Sequence, residues 1–448
     1  MGEQTRPMKS LPYKLKTTND ILTSRSGLIL LAEVMSQLKL TQLVDQHFPL
    51  PGSNRGYSAS DYVNTFVMLL NEGGRCLEDV RHLKRESSLL SVLGLNTIPS
   101  ADAMGDWLRR LGQSKTGINA LAQINKSLLS AALNKCKQVT LDIDATPILC
   151  SKQDAKYTYL KERGYMPMVG HIEQVSQIVA MEFREGNVPP AKDNLGFIKQ
   201  CMTALPSDVQ VTQLRIDAAG YQSAILDYAV EQGIGYAVRA KMSQELRSMI
   251  LSKAESDWQS VINRQGLANG DESSCRFIHM MHASTHPFTV VVQRRKKTGQ
   301  QNLKLDDDLN SNSVEHGGYV YRAIATNRDD LNDSQLIHWY NQRAEHSENR
   351  IKELKSDFAA EQLPCSDYHA NELYFMLCGF AYNVFALMRH CLPTQWAQSR
   401  ATTIRWRLYA LAGKVIHHGR QWTLKLCEAH QALLNNALQT LRQFALAP

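Results

Sequence analysis

The chain has 448 residues, 43% hydrophobic and 21% charged, with 50 Lys and Arg against 43 Asp and Glu, a formal charge of +7. That balance excludes a disordered protein and leaves room for two or three domains with cores of their own. Nine cysteines occur without a CxxC pair, which speaks against a zinc ribbon or a disulfide framework and suits a reducing cytosol. The opening Met-Gly-Glu-Gln-Thr-Arg-Pro has no apolar signal region. The longest apolar run, Leu373 to Met388, is 16 residues with Asn383 inside it, short for a membrane span and right for a core helix. A soluble protein with no membrane partner is the expectation.

Residues 1–26 are polar. Gly27 to Phe48 repeats apolar residues at helical spacing, and Tyr57 to Leu70 and Cys76 to Lys84 continue the pattern across Gly73-Gly74. Pro99-Ser100 opens a further helix, with Ser100 as N-cap, Asp102 in the first turn and Trp107 on its packing face. This helical region spans 1–136.

Val139 to Thr146 is β-branched and alternating and is stopped by Pro147, so it reads as a strand whose end carries Asp144. Asp142, two residues earlier, projects from the same face. Gly170 to Gln174 and Ser176 to Phe183 are two more strands, and a helix from Asp193 to Leu205 follows. Val209 to Ile216 is a strand running into Asp217 and the turn Ala218-Ala219-Gly220. A helix (Tyr221 to Gln232) and a strand (Gly235 to Ala240) complete this part. An acid at the end of a buried strand is costly unless it is paired or binds a cation.

The 131 positions from Asp217 to Glu348 are too many for one connection. They hold helical pieces (Ser243 to Ile262), then strands Cys275 to His282, Phe288 to Val292 and Gly318 to Thr326. Arg294, Arg295, Lys296 and Lys297 read as an exposed basic loop able to lie along DNA. Trp258 reads as a packing residue ahead of a base-stacking one, and His279, His282 and His286 as ordinary sheet and surface residues.

Tyr340 to Lys355 has no Gly or Pro and reads as one continuous helix. On such a helix Glu348 and Lys355 lie within roughly 20° of one face, and Tyr340 within roughly 80° of Glu348. Two acids at strand ends and one on a helix are the oxygen ligands that a pair of hard divalent ions requires. Beyond Pro364 come the long apolar helix and two basic helical segments, including Ile404-Arg405-Trp406-Arg407-Leu408. From Arg400 onward seven basic residues face the single acid Glu428, contributing +6 of the +7, the electrostatic footprint of phosphate contact.

Asp144-Ala145-Thr146 after a strand, Ile216-Asp217-Ala218-Ala219-Gly220-Tyr221 after another, and Tyr340-x2-Arg343…Glu348-x6-Lys355 resemble the DDE insertion-sequence transposases with a Tyr-Arg-Glu-Lys signature. Within them the chain is most similar to the 1380 group of insertion sequences, over nearly its whole length. Lys156-Tyr157-Thr158-Tyr159…Gly164-Tyr165-Met166-Pro167, Ile98 to Asp102, Glu348 to Lys355 and Ala370-Asn371-Glu372 carry the same likeness. One departure stands out. Four residues, Ala344 to Ser347, separate Arg343 from Glu348 where the family has three. The extra residue is either absorbed as a helix bulge or disables the enzyme, and Glu345, seven before Lys352, is the competing frame.

The resemblance implies an α/β protein. A ribonuclease-H-like mixed-sheet catalytic core is interrupted by a β-rich insertion and flanked by helical N- and C-terminal regions. The boundaries are 1–136 (a helical module that grips a DNA end), 137–241 (first part of the core), 242–334 (insertion), 335–362 (last core helix) and 363–448 (basic helical region). It further implies DNA transposition with Asp144, Asp217 and Glu348 as catalytic residues and ligands of two Mg²⁺ ions, Mn²⁺ being able to substitute. Tyr340, Arg343 and Lys355 would contact DNA beside the scissile bond, as would the basic residues 294–297, Arg405 and Arg407. Asp142 would be an auxiliary ligand or a hydrogen-bonding support for one. The implied partners are double-stranded DNA (terminal inverted repeats and target) and a second copy of the chain on DNA, in a bacterial cytoplasm at the nucleoid. Two alternatives stay open: a structure-specific nuclease of the same fold, and an inactive DNA-binding derivative.

Overall fold

The computed structural model describes residues 13–52, 56–95, 97–297, 312–343 and 347–443. Residues 1–12 of the polar segment, and Glu345, lie outside the described residues. Seven helices precede the sheet: Ile29–Gln37, Leu40–His47, Ala59–Glu72, Val80–Arg85, Ser87–Val92, Ala101–Gln113 and Thr116–Ala132. Their starts are written locally. Ser58 and Asp61 form a reciprocal capping box, and the Ser100 hydroxyl accepts from the Ala103 amide. Trp107 stacks between Phe48 and Tyr62, with ring centroids 5.6 and 5.0 Å away, which gives it the packing role.

These helices close around Tyr368–His390, a 23-residue helix buried on nearly every side. The asparagine inside its apolar run is occupied. Asn383 accepts from the Ile178 amide and donates to the Ile178 carbonyl, which satisfies the backbone of the strand at the sheet's edge. Among the described residues no single helix is long and apolar enough to cross a membrane. All nine cysteines are free thiols.

The sheet has ten strands. Its centre is built from Gln138–Ala145, Met168–Ile172, Gln177–Glu182, Gln210–Ile216 and Gly235–Arg239, here the first to fifth core strands. They lie in the spatial order third, second, first, fourth, fifth, with the first three antiparallel and the fourth and fifth parallel to the first. This is the ribonuclease-H-like order that the resemblance implies. Helices Asn194–Ala204 and Ser223–Glu231 cover one face, packed on Leu141, Ile143, Leu214 and Ile216.

The segment read as an insertion joins the same sheet. Tyr319–Thr326 pairs antiparallel with the fifth core strand, and Phe288–Lys296, Ala268–His279 and Gln259–Ile262 follow in order to the far edge. The helical reading of Ser243 to Ile262 therefore holds only for Gln244–Leu251, and Gln259–Ile262 is a strand. Residues 294–297 need a larger correction. Arg294 and Arg295 are not in a loop but in the strand Phe288–Lys296, and Arg294 is buried. Its guanidinium is sandwiched by Trp258 at 4.2 Å and Tyr319 at 4.7 Å and is ion-paired with Glu255, while Arg295 pairs with Glu272 and Lys297 with Glu315. Acids and rings distant in sequence engage three of the four cations, and Trp258 packs on Arg294 and Tyr321.

The C-terminal segment also differs from its helical reading. Gly413–His418 and Gln421–Lys425 form a hairpin that pairs with Leu22–Thr23, and only Glu428–Gln443 is a long helix. Its turn uses two left-handed residues, Gly419 and Arg420 (φ +57° and +65°), the geometry a tight hairpin requires. Several of its cations are spent on structure. Arg405 donates to the carbonyls of Leu70 and Asn71 at the end of one helix and to that of Asp357, so its half-buried guanidinium is taken up in capping. Arg400 pairs with Asp357, Lys414 with Asp20 and Arg442 with Glu33, whereas Arg407 is exposed beside Trp406.

Candidate active site

The first and fourth core strands are parallel neighbours, with Asp142 opposite Arg215 and Ile143 opposite Ile216. One step further along each strand come Asp144 and Asp217. Adjacent strands lie about 4.8 Å apart, so the two acids are carried side by side at the carboxyl edge of the sheet. Asp217 does double duty there. Its Oδ1 accepts from the Ala219 amide at 2.9 Å and caps the tight turn Ala218–Gly220.

The third acid arrives from the far end of the chain. Of the helix expected from Tyr340 to Lys355, the structure describes Asp333–Arg343 and Asn349–Asp357 as helix, and residues 344–346 lie outside the described residues. Ser347 and Glu348 lie in a π-type turn at the start of the second. A π turn takes up one residue more than an α turn, which suits a chain carrying one extra residue at this point. Glu348 is exposed there, and Asp144 senses its charge.

Asp144 registers the crowding. Burial, and then the charges of Asp217 and Glu348, push its carboxyl up to about 7 against the pull of Arg343. Arg343 is itself buried, with one guanidinium nitrogen 3.2 Å from Asp144 Oδ1 and 3.2 Å from the Ile143 carbonyl. Burial works against its charge, yet Asp144, Tyr340, Asp217 and Asp142 keep it firmly protonated. Among the described residues no three His, Cys, Asp or Glu side chains stand close enough to form a finished metal cage.

The other signature side chains gather around the same edge. The Tyr340 hydroxyl donates to the carbonyl of Ile216, the residue before Asp217, at 3.2 Å, and its ring lies under the Arg239 guanidinium at 5.1 Å. Lys355 donates to the Pro147 carbonyl at 2.7 Å, three residues beyond Asp144, and burial draws its pKa down. Tyr340, Arg343 and Lys355 thus meet the ends of the acid-bearing strands and the charge of Glu348 reaches Asp144, whereas Arg294, Arg295, Lys297 and Arg405 are engaged elsewhere.

Asp142 is neither exposed nor uncommitted. It is wholly buried, and its two oxygens each lie 2.7 Å from nitrogens of Arg215. It therefore supports the site from behind through Arg215, with no oxygen left open toward it. Arg215, overlooked in the sequence reading, is the hub. It also reaches Glu173 Oε2 at 2.8 Å and the Trp339 carbonyl at 2.8 Å, with the Trp339 ring 5.5 Å from its guanidinium. Arg350 closes the circuit by donating to the Glu173 carbonyl at 3.0 Å. One buried cation so ties together the strand of Asp144, the strand of Asp217 and the helix of Tyr340 and Arg343. The signal was present in the sequence: Arg215-x-Asp217 in one apolar strand matches Asp142-x-Asp144 in the other.

No curated protein matches the chain. Among solved structures, the cryo-EM piggyBac transposase synaptic complex with hairpin DNA is similar at a TM-score of 0.44 and 12% identity, over 86% of this chain and 80% of that one. The family model described as Transposase DDE domain group 1 matches residues 6–446, so this chain belongs to that family and is a DDE transposase.

Proposed function

We propose that this transposase serves an insertion sequence, nearest in its motifs to the 1380 group, and that it cuts the ends of its element and joins them to target DNA. The observation that carries the reading is the in-register placement of Asp144 and Asp217, with Glu348 close enough for its charge to be felt at Asp144.

Asp144, Asp217 and Glu348 would hold the divalent ions, Mg²⁺ with Mn²⁺ as a substitute. The donor set fits: three carboxylates, all hard oxygen ligands, one of them raised in pKa by burial and then by the negative charge of the other two. When bound, a pair of such ions activates water and stabilises the leaving oxygen of a phosphodiester. The protein's own groups do the rest. Arg343, fixed by Asp144 and the Ile143 carbonyl, presents a planar cation to a phosphate, while Lys355 supplies a point charge beside Pro147. Tyr340 fixes the Asp217 strand end from behind through the Ile216 carbonyl. No Ser or Tyr nucleophile is needed, because the 3′ hydroxyl freed by cleavage is the second nucleophile. A dimer on DNA follows from the need to bring two ends together.

The test is a labelled element end incubated with Mg²⁺ and target plasmid. Wild-type protein should give cleaved end and strand-transfer product, and Glu348→Gln should give neither while still binding the duplex. Cleavage without joining would favour a nuclease. The extra residue between Arg343 and Glu348 favours one further reading, a DNA-binding derivative without catalysis, and equal behaviour of wild type and Glu348→Gln would establish it.

A further inference from the structure

The first and second core strands form an antiparallel pair, with Ala145 opposite Met168, so the chain between them must leave and return at the edge that carries Asp144. That connection is not a plain loop. It folds into a three-stranded flap of Ile148–Leu149, Arg163–Tyr165 and Lys156–Tyr157, in that spatial order.

The flap is rigidly seated. The Thr146 amide donates to the Pro167 carbonyl at 3.0 Å, and the Tyr165 hydroxyl donates to Asp154 at 2.7 Å. The Tyr165 ring packs on Phe183 and Tyr368. Two glycines permit the close approach of backbones: a Cβ at Gly164 would lie 2.2 Å from the Ile148 carbonyl oxygen, and one at Gly186 would lie 2.4 Å from that of Lys156. At the tip a tight turn is closed by the Thr158 amide on the Glu162 carbonyl and by the Lys161 amide on Thr158, with Lys161 left-handed (φ +62°).

The outer surface contrasts with this anchored base. Tyr157 is 65% exposed and Tyr159 62%, and Lys156, Lys161 and Arg163 are exposed around them, Arg163 lying 5.7 Å from the Tyr157 ring. Large aromatic rings left in water beside cations, on a support stiff enough to hold them there, form the stacking-and-charge surface that binds unpaired nucleic acid. Each ring offers a π-face to any base, and each cation a partner for the backbone.

We propose that this flap binds unpaired nucleotides of the DNA strand next to the scissile phosphate, with bases stacked on Tyr157 and Tyr159 and phosphates met by Lys156, Lys161 and Arg163. The inference rests on the transposase reading of the acids and adds to it a single-strand subsite. It predicts that the enzyme prefers an end with a short unpaired tail over a blunt end of the same sequence.

The experiment is fluorescence anisotropy of the full chain on two labelled oligonucleotides, a blunt duplex end and the same end with a four-nucleotide single-stranded extension, in Ca²⁺ to suppress cleavage. Wild type should favour the tailed end by about 10-fold or more. Tyr157→Ala/Tyr159→Ala should abolish that preference and leave blunt-end binding within about twofold, and Tyr157→Phe/Tyr159→Phe should restore it because the rings are kept. A preference that survives the double alanine variant, or a wild type that binds both ends equally, overturns the flap assignment while leaving the transposase reading in place. A wild type that binds neither DNA overturns both.

Discussion

Replacing Arg215 by Met should be among the most damaging single changes in the molecule, although the side chain touches no solvent. Asp142 is wholly buried, and each of its oxygens lies 2.7 Å from an Arg215 nitrogen. Removing the guanidinium strands that carboxylate in the interior and deprives Glu173 of its partner. Breaking one side of such a pair costs about 3–5 kcal/mol. The same accounting predicts a partial rescue. Arg215→Met with Asp142→Leu removes both charges, and replacement of a buried pair by apolar groups is close to neutral, so the double variant should recover at least about 2 kcal/mol of the combined losses. Urea unfolding followed by tryptophan fluorescence, on the wild type, both single variants and the double, measures the coupling directly. A second readout concerns function. Arg215 and Asp142 lie two residues before Asp217 and Asp144, so Arg215→Met should cut more slowly by at least about 10-fold at a temperature where it remains folded, since misplacement of a reacting group by an ångström is worth up to about 100-fold. An Arg215→Met protein that unfolds with the wild type, or penalties that simply add, would refute the reasoning.

The raised pKa of Asp144 carries a sign. Its carboxyl titrates near 7 in the folded protein against 3.8 for an ordinary side chain, so its contribution to stability is complete below about pH 4 and is lost as pH climbs through 7. Without divalent metal, the urea midpoint should therefore fall between pH 5 and pH 8, and Asp144→Asn should flatten that fall; an unchanged slope would exclude Asp144 as its source. Arg294→Ala removes a buried guanidinium from between Trp258 and Tyr319 and should destabilise the protein by about 2–3 kcal/mol, with duplex affinity unchanged where it is folded. Weaker DNA binding at full stability would return Arg294 to the DNA surface. Lys355→Met loses the bond to the Pro147 carbonyl at a cost of about 1 kcal/mol in stability, yet should slow end cleavage by at least about 10-fold; a rate within twofold of wild type would remove Lys355 from the site.

How much of this was legible in the sequence depended on how far apart the interacting residues lay. The strands ending at Asp144 and Asp217 could be read because β-branched alternation and hard stops, Pro147 and the turn at Gly220, are local signals. Their adjacency came from the order of elements, and their register only from the paired strands. The extra residue before Glu348 could be counted in the sequence, but the π-type turn that holds Ser347 and Glu348 could not be read there, because propensity does not register a single extra residue. The basic run at 294–297 misled for the opposite reason. Four adjacent cations read as solvated, yet Glu255, Trp258, Glu272 and Glu315 neutralise or cover three of them from positions no local window contains. The hairpin at 413–425 was missed because its exposed face is polar and its turn depends on Arg420 in the left-handed region, a conformation only glycine advertises.

The central claim is that Asp144, Asp217 and Glu348 act together on a phosphodiester. The most direct measurement compares wild type with Asp144→Asn, Asp217→Asn and Glu348→Gln in Mg²⁺ on a labelled element end, with duplex binding measured in parallel. All three variants should bind DNA within a few-fold of wild type and lose cleavage by at least about 1,000-fold. Cleavage by Glu348→Gln at the wild-type rate would show that the side chain at 348 is not the third acid.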